Sequence, residues 1–289
     1  MMTHIPYRTW CPHCVRGKAR ANYHKKSRDE KHIPTISMDY MFMESKEAEV
    51  KGMPIMVIKD HDSGWTAARV VPKKGKQSYA IKEVCKIIDW LGYRRVILKS
   101  DQEPAIMEVK ECIKAERPEE IMFEESPVAD SRSNAEVERA IQTVQGQVRA
   151  MKDAFEANYN QEVSPENAVL PWLVMHSGAL ISRFHRGQDG MTAFKRVRGK
   201  DFREDLCEFG ECVWYMKPGS VGKDKFDRKW EDGIWLGVVN ESGENIIGTH
   251  EGCIKVRAVK RKPIQQRWDN DNMGLMRGGR LFQDIQNVS

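Results

Sequence analysis

The stretch Ile36-Ser-Met-Asp-Tyr-Met41 predicts a β-strand with an aspartate, Asp39, in its middle. Because side chains alternate across a strand, Asp39 lies on the opposite face from Met38 and Tyr40. A carboxylate inside an apolar strand is costly to bury unless a cation or hydrogen-bond donors stabilise its charge. The strand therefore marks both the start of the folded core and a candidate site.

Strand and helix patterns alternate along the chain after this stretch. Strands are predicted at 33–43, 53–58, 65–71, 94–98 and 121–123. Asp60-His-Asp-Ser-Gly64 supplies the turn of a hairpin, and we interpret Asp60 and Asp62 as turn residues. Apolar residues recur at helical spacing at 80–91, between Pro104 and Pro118, at 137–155 and at 168–184. This order predicts a mixed α/β layer fold.

Two more acidic residues stand where such a fold places ligands. Asp101 follows a predicted buried strand, at the strand end where α/β sheets bind ligands. Glu138 lies near the start of the third predicted helix. Residues 40–100 and 102–137 separate the three carboxylates, 61 and 36 residues respectively. Because paired divalent ions held by carboxylates serve phosphodiester chemistry, Asp39, Asp101 and Glu138 are the candidate catalytic and metal-binding residues.

Glu136 is an alternative third ligand, because it lies two residues away on the same helix. Helical geometry places Glu136 and Glu138 on opposite flanks of the apolar stripe through Val137. The flank of Glu138 continues as a polar and basic face suited to DNA, formed by Gln142, Gln145, Arg149 and Lys152. The flank of Glu136 carries Ala140, Thr143, Gln147 and Ala150. This geometry favours Glu138, and Glu136 stays open.

The net charge of the 289-residue chain is +5, and basic residues are concentrated near both ends. Residues 1–31 carry eight Lys or Arg and two acids, and residues 255–267 carry six Lys or Arg and no acid. Such blocks indicate a polyanionic partner, most simply nucleic acid. The candidate contacts to the DNA backbone in the second block are Lys255, Arg257, Lys260, Arg261 and Lys262.

Composition argues against a membrane protein or a disulfide-rich secreted protein. No apolar run approaches the roughly 20 residues that a membrane-spanning helix needs. The first residues, Met1-Met-Thr-His-Ile-Pro-Tyr-Arg8, lack the apolar core of a secretion signal. The seven cysteines are an odd and scattered set, which favours a reducing compartment.

The apolar period changes to two from about Cys207 onward. Short strands are predicted within 211–216, 232–239, 245–249 and 253–259, separated by Gly, Pro and charged turns. Several short strands within one small segment predict a small β-barrel.

The order of Asp39, Asp101 and Ser133-Asn-Ala-Glu-Val-Glu-Arg139 resembles the D,D-35-E catalytic core of retroviral and retrotransposon integrases. In that family an Asn-Gly pair precedes the catalytic glutamate, and arginine follows it in retroelements; Ala135 takes the glycine position here. Later stretches also resemble the family: Gly146-Gln-Val-Arg149, Trp172, Arg183-Phe184, Thr192-Ala-Phe194, Gly199, Phe209-Gly-Glu-Cys-Val-Trp214 and Gly233-Ile-Trp-Leu-Gly237. The resemblance covers about residues 8–265.

The resemblance implies a fold class and a division into domains. The fold class is α/β, an RNase H-like mixed five-stranded sheet with flanking helices, followed by a small SH3-like all-β barrel. The implied parts are a basic N-terminal segment at 1–31, a catalytic core at 32–160, a helical extension at 161–204, a DNA-binding barrel at 205–265 and a disordered tail at 266–289.

The resemblance also implies a reaction, the processing of element DNA 3′ ends and their strand transfer into target DNA. Asp39 is then expected to bind two Mg²⁺ (or Mn²⁺) ions, Asp101 one of them and Glu138 the other. The implied partners are double-stranded DNA, from element ends and target, and further copies of the chain in a homo-oligomer. The implied location is the nucleus, after a cytoplasmic assembly stage.

Cys11-Pro-His-Cys14 is a candidate half of a zinc site, with Cys11 and Cys14 as ligands. The N-terminal zinc module of integrases adds two histidines upstream, whereas here only His4 precedes the pair. The segment therefore resembles a truncated module, in which His13 and His24 are the alternative ligands.

Two other functions stay open from the sequence. The chain is alternatively a catalytically decayed or co-opted integrase fragment that binds DNA without cutting it. Another RNase H-like transposase or nuclease is the second alternative, and Glu136 as the third ligand would favour it. The basic C-terminal barrel favours the integrase.

Overall fold

The structure, a computed structural model, describes residues 11–13, 16, 32–43, 52–117, 120–125, 135–164, 167–217 and 228–271. The chain divides into two units, Met1–His32 and Ile33–Ser289. The second unit contains every helix and strand discussed below. No helix in the described part of the chain is long and apolar enough to cross a membrane.

A five-stranded mixed sheet forms the centre of the second unit. Its strands are β1 (Thr35–Met41), β2 (Ile55–Asp60), β3 (Thr66–Val70), β4 (Arg95–Ser100) and β5 (Glu120–Glu125). The spatial order is β3-β2-β1-β4-β5, with β1 antiparallel to β2 and parallel to β4. This sheet, with helices beside it, confirms the predicted α/β fold class and the mixed five-stranded sheet that the resemblance implies.

Five helices accompany the sheet in the described part of the second unit; the first four agree in position with the predicted apolar patterns, and the fifth was not predicted. They are α1 (Ser78–Leu91), α2 (Pro104–Glu116), α3 (Ala135–Tyr159), α4 (Leu170–Phe184) and α5 (Ala193–Arg198). α1 ends where Gly92 adopts the left-handed conformation, φ 76°. α4 begins later than predicted, because Pro171 has no amide hydrogen to donate and fits the first helical turn.

α4 packs on β3 at a distance that only glycine allows. A Cβ added to Gly178 would lie 2.9 Å from the backbone nitrogen of Ala68, a contact that backbone atoms cannot relieve by rotation. We expect Gly178→Ala to force α4 away from the sheet and to lower the free energy of unfolding by about 1–3 kcal/mol. Urea denaturation measures the change. Gly146→Ala on α3, where an added Cβ meets nothing within 4 Å, is the matched control and should not destabilise the chain.

A second sheet lies in the C-terminal part of the chain. Its strands are β6 (Cys212–Met216), β7 (Trp230–Val238), β8 (Asn245–Thr249), β9 (Gly252–Val256) and β10 (Val259–Arg261). The order is β10-β6-β7-β8-β9, and every pairing is antiparallel. A small core of Val213, Tyr215, Trp235, Ile247 and Val256 is buried on it. These features confirm the predicted small all-β domain.

Helices α3 and α4 fasten this β domain to the central sheet. The Tyr159 hydroxyl, at the end of α3, donates a hydrogen bond of 2.6 Å to the Gly210 carbonyl. His176 of α4 meets the Trp235 ring edge-on, with centroids 5.0 Å apart. Burial, and to a lesser extent the positive charge of Arg183, lower the pKa of His176 to about 3, so this imidazole is neutral at the junction.

Candidate functional site

The parallel pairing of β1 with β4 brings the two predicted aspartates together. Ser37 lies beside Lys99 in this register, so the same offset places Asp39 beside Asp101. Asp39 is inside β1, whereas Asp101 is the first residue after β4. The two residues are 62 positions apart in sequence, and only the sheet makes them neighbours.

Glu103 joins these aspartates in one acidic group. Oxygen atoms of Asp39, Asp101 and Glu103 lie within 4.8 Å of one another, and all three residues are half-buried. The backbone N–H of Glu103 donates to Asp101 Oδ1 at 3.1 Å, which fixes the turn between β4 and α2. Glu103 is not among the residues predicted from sequence. An acid two residues after Asp101, just before the proline that opens α2, was the available signal.

The surroundings of Asp39 shift the pKa of its carboxyl group. Burial is the main cause that raises the pKa of Asp39 to about 6, and the negative charges of Asp101 and Glu103 act in the same direction. The Tyr40 backbone N–H, 2.7 Å from Asp39 Oδ1, and the ammonium of Lys74 oppose this shift. The site therefore favours a proton or another cation at Asp39.

The raised pKa of Asp39 predicts a pH-dependent cation affinity. Below about pH 6 a proton occupies Asp39, so Mn²⁺ affinity should fall by about tenfold per pH unit, and it should level off above pH 7. Calorimetric titrations with Mn²⁺ between about pH 5 and pH 8 measure this dependence. A midpoint near pH 4, that of an ordinary carboxylate, would contradict it.

The raised pKa of Asp39 also determines how the stability of the metal-free chain depends on pH. Because the pKa of Asp39 is higher in the folded chain, its contribution favours folding below pH 3.8 and is lost as pH rises through about 6. Asp39→Asn should therefore stabilise the metal-free chain at neutral pH. An unfolding temperature of this variant that is unchanged or lower at pH 7.5 would contradict the shift.

The ammonium group of Lys74 contacts this acidic group through Glu103. Its Nζ lies 2.7 Å from Glu103 Oε1 and 3.0 Å from Oε2, and it also lies 5.2 Å from the ring centroids of Tyr40 and Phe42. The ammonium partly neutralises the acids, and Glu103 is engaged with it. Asp39 and Asp101 can offer carboxylate oxygens, the type of ligand that Mg²⁺ and Mn²⁺ prefer.

Glu138 and Glu136 both lie on the first turn of α3, in different surroundings. Glu138 is exposed and is not a member of the acidic group found among the described residues. Glu136 Oε2 lies 3.2 Å from Nδ1 of His61. The helix itself packs on β1 and β2. Glu138 as a metal ligand stays a prediction.

The predicted DNA-facing flank of α3 is partly exposed. Gln142 and Arg149 are exposed, whereas Gln145 and Lys152 are half-buried. Lys152 pairs with Glu156 at 2.5 Å. Gln145, Arg149 and Lys152 also line a largely apolar cavity of about 360 Å³ between α3, α4 and the central sheet.

The basic residues of the β domain divide into two groups. Arg261 makes two hydrogen bonds, of 2.8 and 2.6 Å, to the buried carboxylate of Glu211, and Lys262 is buried and paired with Asp232. Of the other three residues, Lys255 is half-buried, and Arg257 and Lys260 are exposed. Arg261 and Lys262 therefore have a structural role that the sequence did not indicate, while the DNA contacts of all five stay predictions.

The zinc prediction falls largely outside the described residues. Cys11 is buried, and Cys14 lies outside the described part of the chain. Within the described ranges, the acidic group is the only set of three or more His, Cys, Asp or Glu residues with metal-binding spacing. Zinc binding by Cys11 and Cys14 is therefore a prediction that stays untested.

Comparisons with known proteins give structural matches only. No family model matches the chain, and no curated protein matches it either. The chain is similar to one from the cryo-EM structure of the simian T-cell lymphotropic virus intasome in complex with PP2A regulatory subunit B56 gamma. That match has a TM-score of 0.46 and 14% identity, over 88% of this chain and 87% of that one.

Two isolated catalytic cores are also similar. The HTLV-2 integrase catalytic core domain in complex with magnesium matches with a TM-score of 0.41 and 14% identity, over 57% of this chain and 95% of that one. The BIV integrase catalytic core domain matches with a TM-score of 0.38 and 17% identity, over 56% and 92%. All three are retroviral integrase structures, the family that the sequence resembles, while the fold assignment rests on the strand order given above.

Proposed function

We propose that this chain is a retroelement integrase, a metal-dependent enzyme that processes DNA 3′ ends and transfers them into target DNA. The observation that carries this function is the convergence of Asp39, within β1, and Asp101, just after the end of the parallel strand β4. Two carboxylates in this position, one of them with a raised pKa, are suited to hold divalent cations.

Asp39, Asp101 and Glu138 would hold two Mg²⁺ or Mn²⁺ ions, with Asp39 serving both ions, Asp101 one of them and Glu138 the other. Bound ions of this kind lower the pKa of an attacking water or hydroxyl and stabilise the leaving oxygen. The chain's own residues position the ligands: β1 holds Asp39, the turn before α2 holds Asp101, and the first turn of α3 carries Glu138. Glu103 keeps Lys74 beside them.

The accessible basic residues support double-stranded DNA as the partner. Arg257 and Lys260 of the β domain and Arg149 of α3 expose positive charge that can contact phosphates. Lys255 is a further candidate contact. Assembly of several copies around two DNA ends, and a nuclear location after assembly in the cytoplasm, are part of the same proposal.

DNA binding without cleavage is the second candidate function. The ion pair between Lys74 and Glu103 favours it, because an ammonium already supplies positive charge to the acidic group. The two functions differ in whether metal addition produces covalent change in DNA.

The function is tested by incubating the full chain with supercoiled plasmid and short duplexes that end in 3′-OH, with Mg²⁺ or Mn²⁺. We expect metal-dependent nicking and covalent joining of duplex to plasmid, both abolished by EDTA. Products that are insensitive to EDTA would contradict the two-metal assignment. Retardation of DNA with no product would favour the non-catalytic function.

A further inference from the structure

Ser37, His61 and Glu136 form a chain of contacts from β1 to the first turn of α3. Ser37 Oγ lies 2.6 Å from His61 Nε2, and His61 Nδ1 lies 3.2 Å from Glu136 Oε2. The backbone N–H of His61 also donates to the Thr35 carbonyl at 3.0 Å. His61 is therefore fixed to β1 at two points, one through its backbone and one through its imidazole, and the imidazole also reaches the helix that carries Glu138.

The chemistry of these three side chains assigns the hydrogen atoms in their two contacts. An ionised Glu136 can only accept, so the hydrogen of His61 is on Nδ1. Nε2 then accepts the hydrogen of the Ser37 hydroxyl. Burial lowers the pKa of His61 despite the opposing charge of Glu136, which agrees with a neutral imidazole.

This Ser-His-Glu sequence of contacts has the order of a hydrolase triad, but its serine is inaccessible. Ser37 is 1% exposed and lies within β1, between β2 and β4. A nucleophile must reach a substrate carbonyl or phosphorus, and Ser37 has no path to one. The contacts therefore serve to hold structure.

The turn that carries His61 is itself held from several sides. The Asp60 carboxylate accepts hydrogen bonds from the Ser63 backbone N–H at 2.8 Å and from the Tyr93 hydroxyl at 2.9 Å. Arg196 of α5 donates to the Ser63 carbonyl at 2.6 Å. A turn held in this way is a rigid support for the imidazole.

We propose that His61 and Glu136 form a positioning clamp, which fastens the first turn of α3 to β1 and so sets the place of Glu138 relative to Asp39 and Asp101. The inference rests on the proposed function. Glu136 and Glu138 lie about 200° apart around the helix, so the contact of Glu136 with His61 leaves Glu138 on the other flank. Glu136 is then a positioning residue, and Glu138 is the metal ligand.

The test uses the full chain in four variants, His61→Ala, Glu136→Ala, Glu136→Gln and, as matched control, Glu120→Gln. Glu120 forms an exposed ion pair with Arg95 on β4 and β5, away from α3. Mn²⁺ affinity is measured by calorimetry against an Asp39→Asn baseline, and hydrogen exchange is followed in peptides covering the first turns of α3. Glutamine retains an acceptor for His61 Nδ1, whereas alanine does not.

We expect His61→Ala and Glu136→Ala to weaken Mn²⁺ affinity by about tenfold, in the range typical of groups that orient metal ligands. Exchange in the first turns of α3 should rise by about fivefold in both, as for the loss of one hydrogen bond. Glu136→Gln should restore both quantities to within about twofold of wild type, and Glu120→Gln should change neither.

Wild-type affinity and exchange in both alanine variants would overturn the clamp while leaving the proposed function in place. If Glu136→Gln loses Mn²⁺ binding as completely as Asp39→Asn, the clamp is also overturned, because Glu136 is then itself a metal ligand. Absence of Asp39-dependent Mn²⁺ binding in the wild-type chain would overturn the proposed function, and the role of the clamp with it.

Discussion

Asp39→Asn is expected to reduce metal-dependent DNA joining by at least about 1,000-fold, because it removes the proposed ligand shared by both ions. Loss of such a ligand removes several kcal/mol of transition-state stabilisation, and each 1.36 kcal/mol corresponds to about tenfold in rate. The plasmid-joining assay with Mg²⁺ measures the effect. DNA affinity should stay within a fewfold of wild type, because the proposed phosphate contacts involve other residues.

Matched variants identify the third ligand in the same assay. Glu138→Gln should approach the effect of Asp39→Asn, whereas Glu103→Gln should cost less, because Glu103 is engaged with Lys74. If Glu103→Gln is the more damaging of the two, Glu103 belongs to the metal site, as its place in the acidic group allows. Joining activity that persists in Asp39→Asn would refute the assignment of the whole site.

Arg69→Met is expected to lower the free energy of unfolding by about 3–5 kcal/mol, because it leaves a charge buried without its main partner. Arg69 Nε lies 2.7 Å from Glu83 Oε2, and their side chains are only 9% and 3% exposed. Burial alone would raise the pKa of Glu83, but Arg69 outweighs it, so the pKa is lowered and the carboxylate is ionised. Urea denaturation at neutral pH measures the loss.

Two further variants separate the buried pair from ordinary surface charge. Lys86→Met removes the more exposed partner of Glu83, 3.3 Å away, and should cost no more than about 1 kcal/mol. The double variant Arg69→Met with Glu83→Leu should be more stable than Arg69→Met alone, because no buried charge remains. Because the pKa of Glu83 is lowered, the contribution of the pair should disappear as pH falls below about 4.5. A loss of less than 1 kcal/mol in Arg69→Met would contradict this account.

Local patterns predicted the elements of the fold well, because the spacing of apolar residues is a local property. The strand around Asp39, the hairpin turn at 60–64 and the helix after Ala135 are all where the sequence placed them. Asp60 acts as a turn residue, as interpreted, through its hydrogen bond from Ser63. Proximity of side chains was harder to predict, since it depends on strand register.

Glu103, Arg261 and Lys262 show where local patterns are insufficient. Glu103 approaches Asp39 only because β1 and β4 pair in a particular register and α2 begins at the next residue. Pairing of β10 with β6 brings Arg261 to the buried Glu211, 50 residues away. A basic run therefore includes residues whose charges are used in folding, and the sequence alone does not identify them.

The pattern of apolar and polar residues carried enough information for the α/β fold class and for the two regions of strands, and it marked Asp39 and Asp101 as candidate site residues. Only the register of β1 with β4 makes these two residues neighbours. The pattern left Glu136 and Glu138 unresolved, because both occupy the first turn of one helix. The tertiary structure gives the two glutamates different neighbours, because the turn between β2 and β3 brings His61 to Glu136. Such a contact joins residues 75 positions apart, and only the packing of α3 against β1 and β2 creates it.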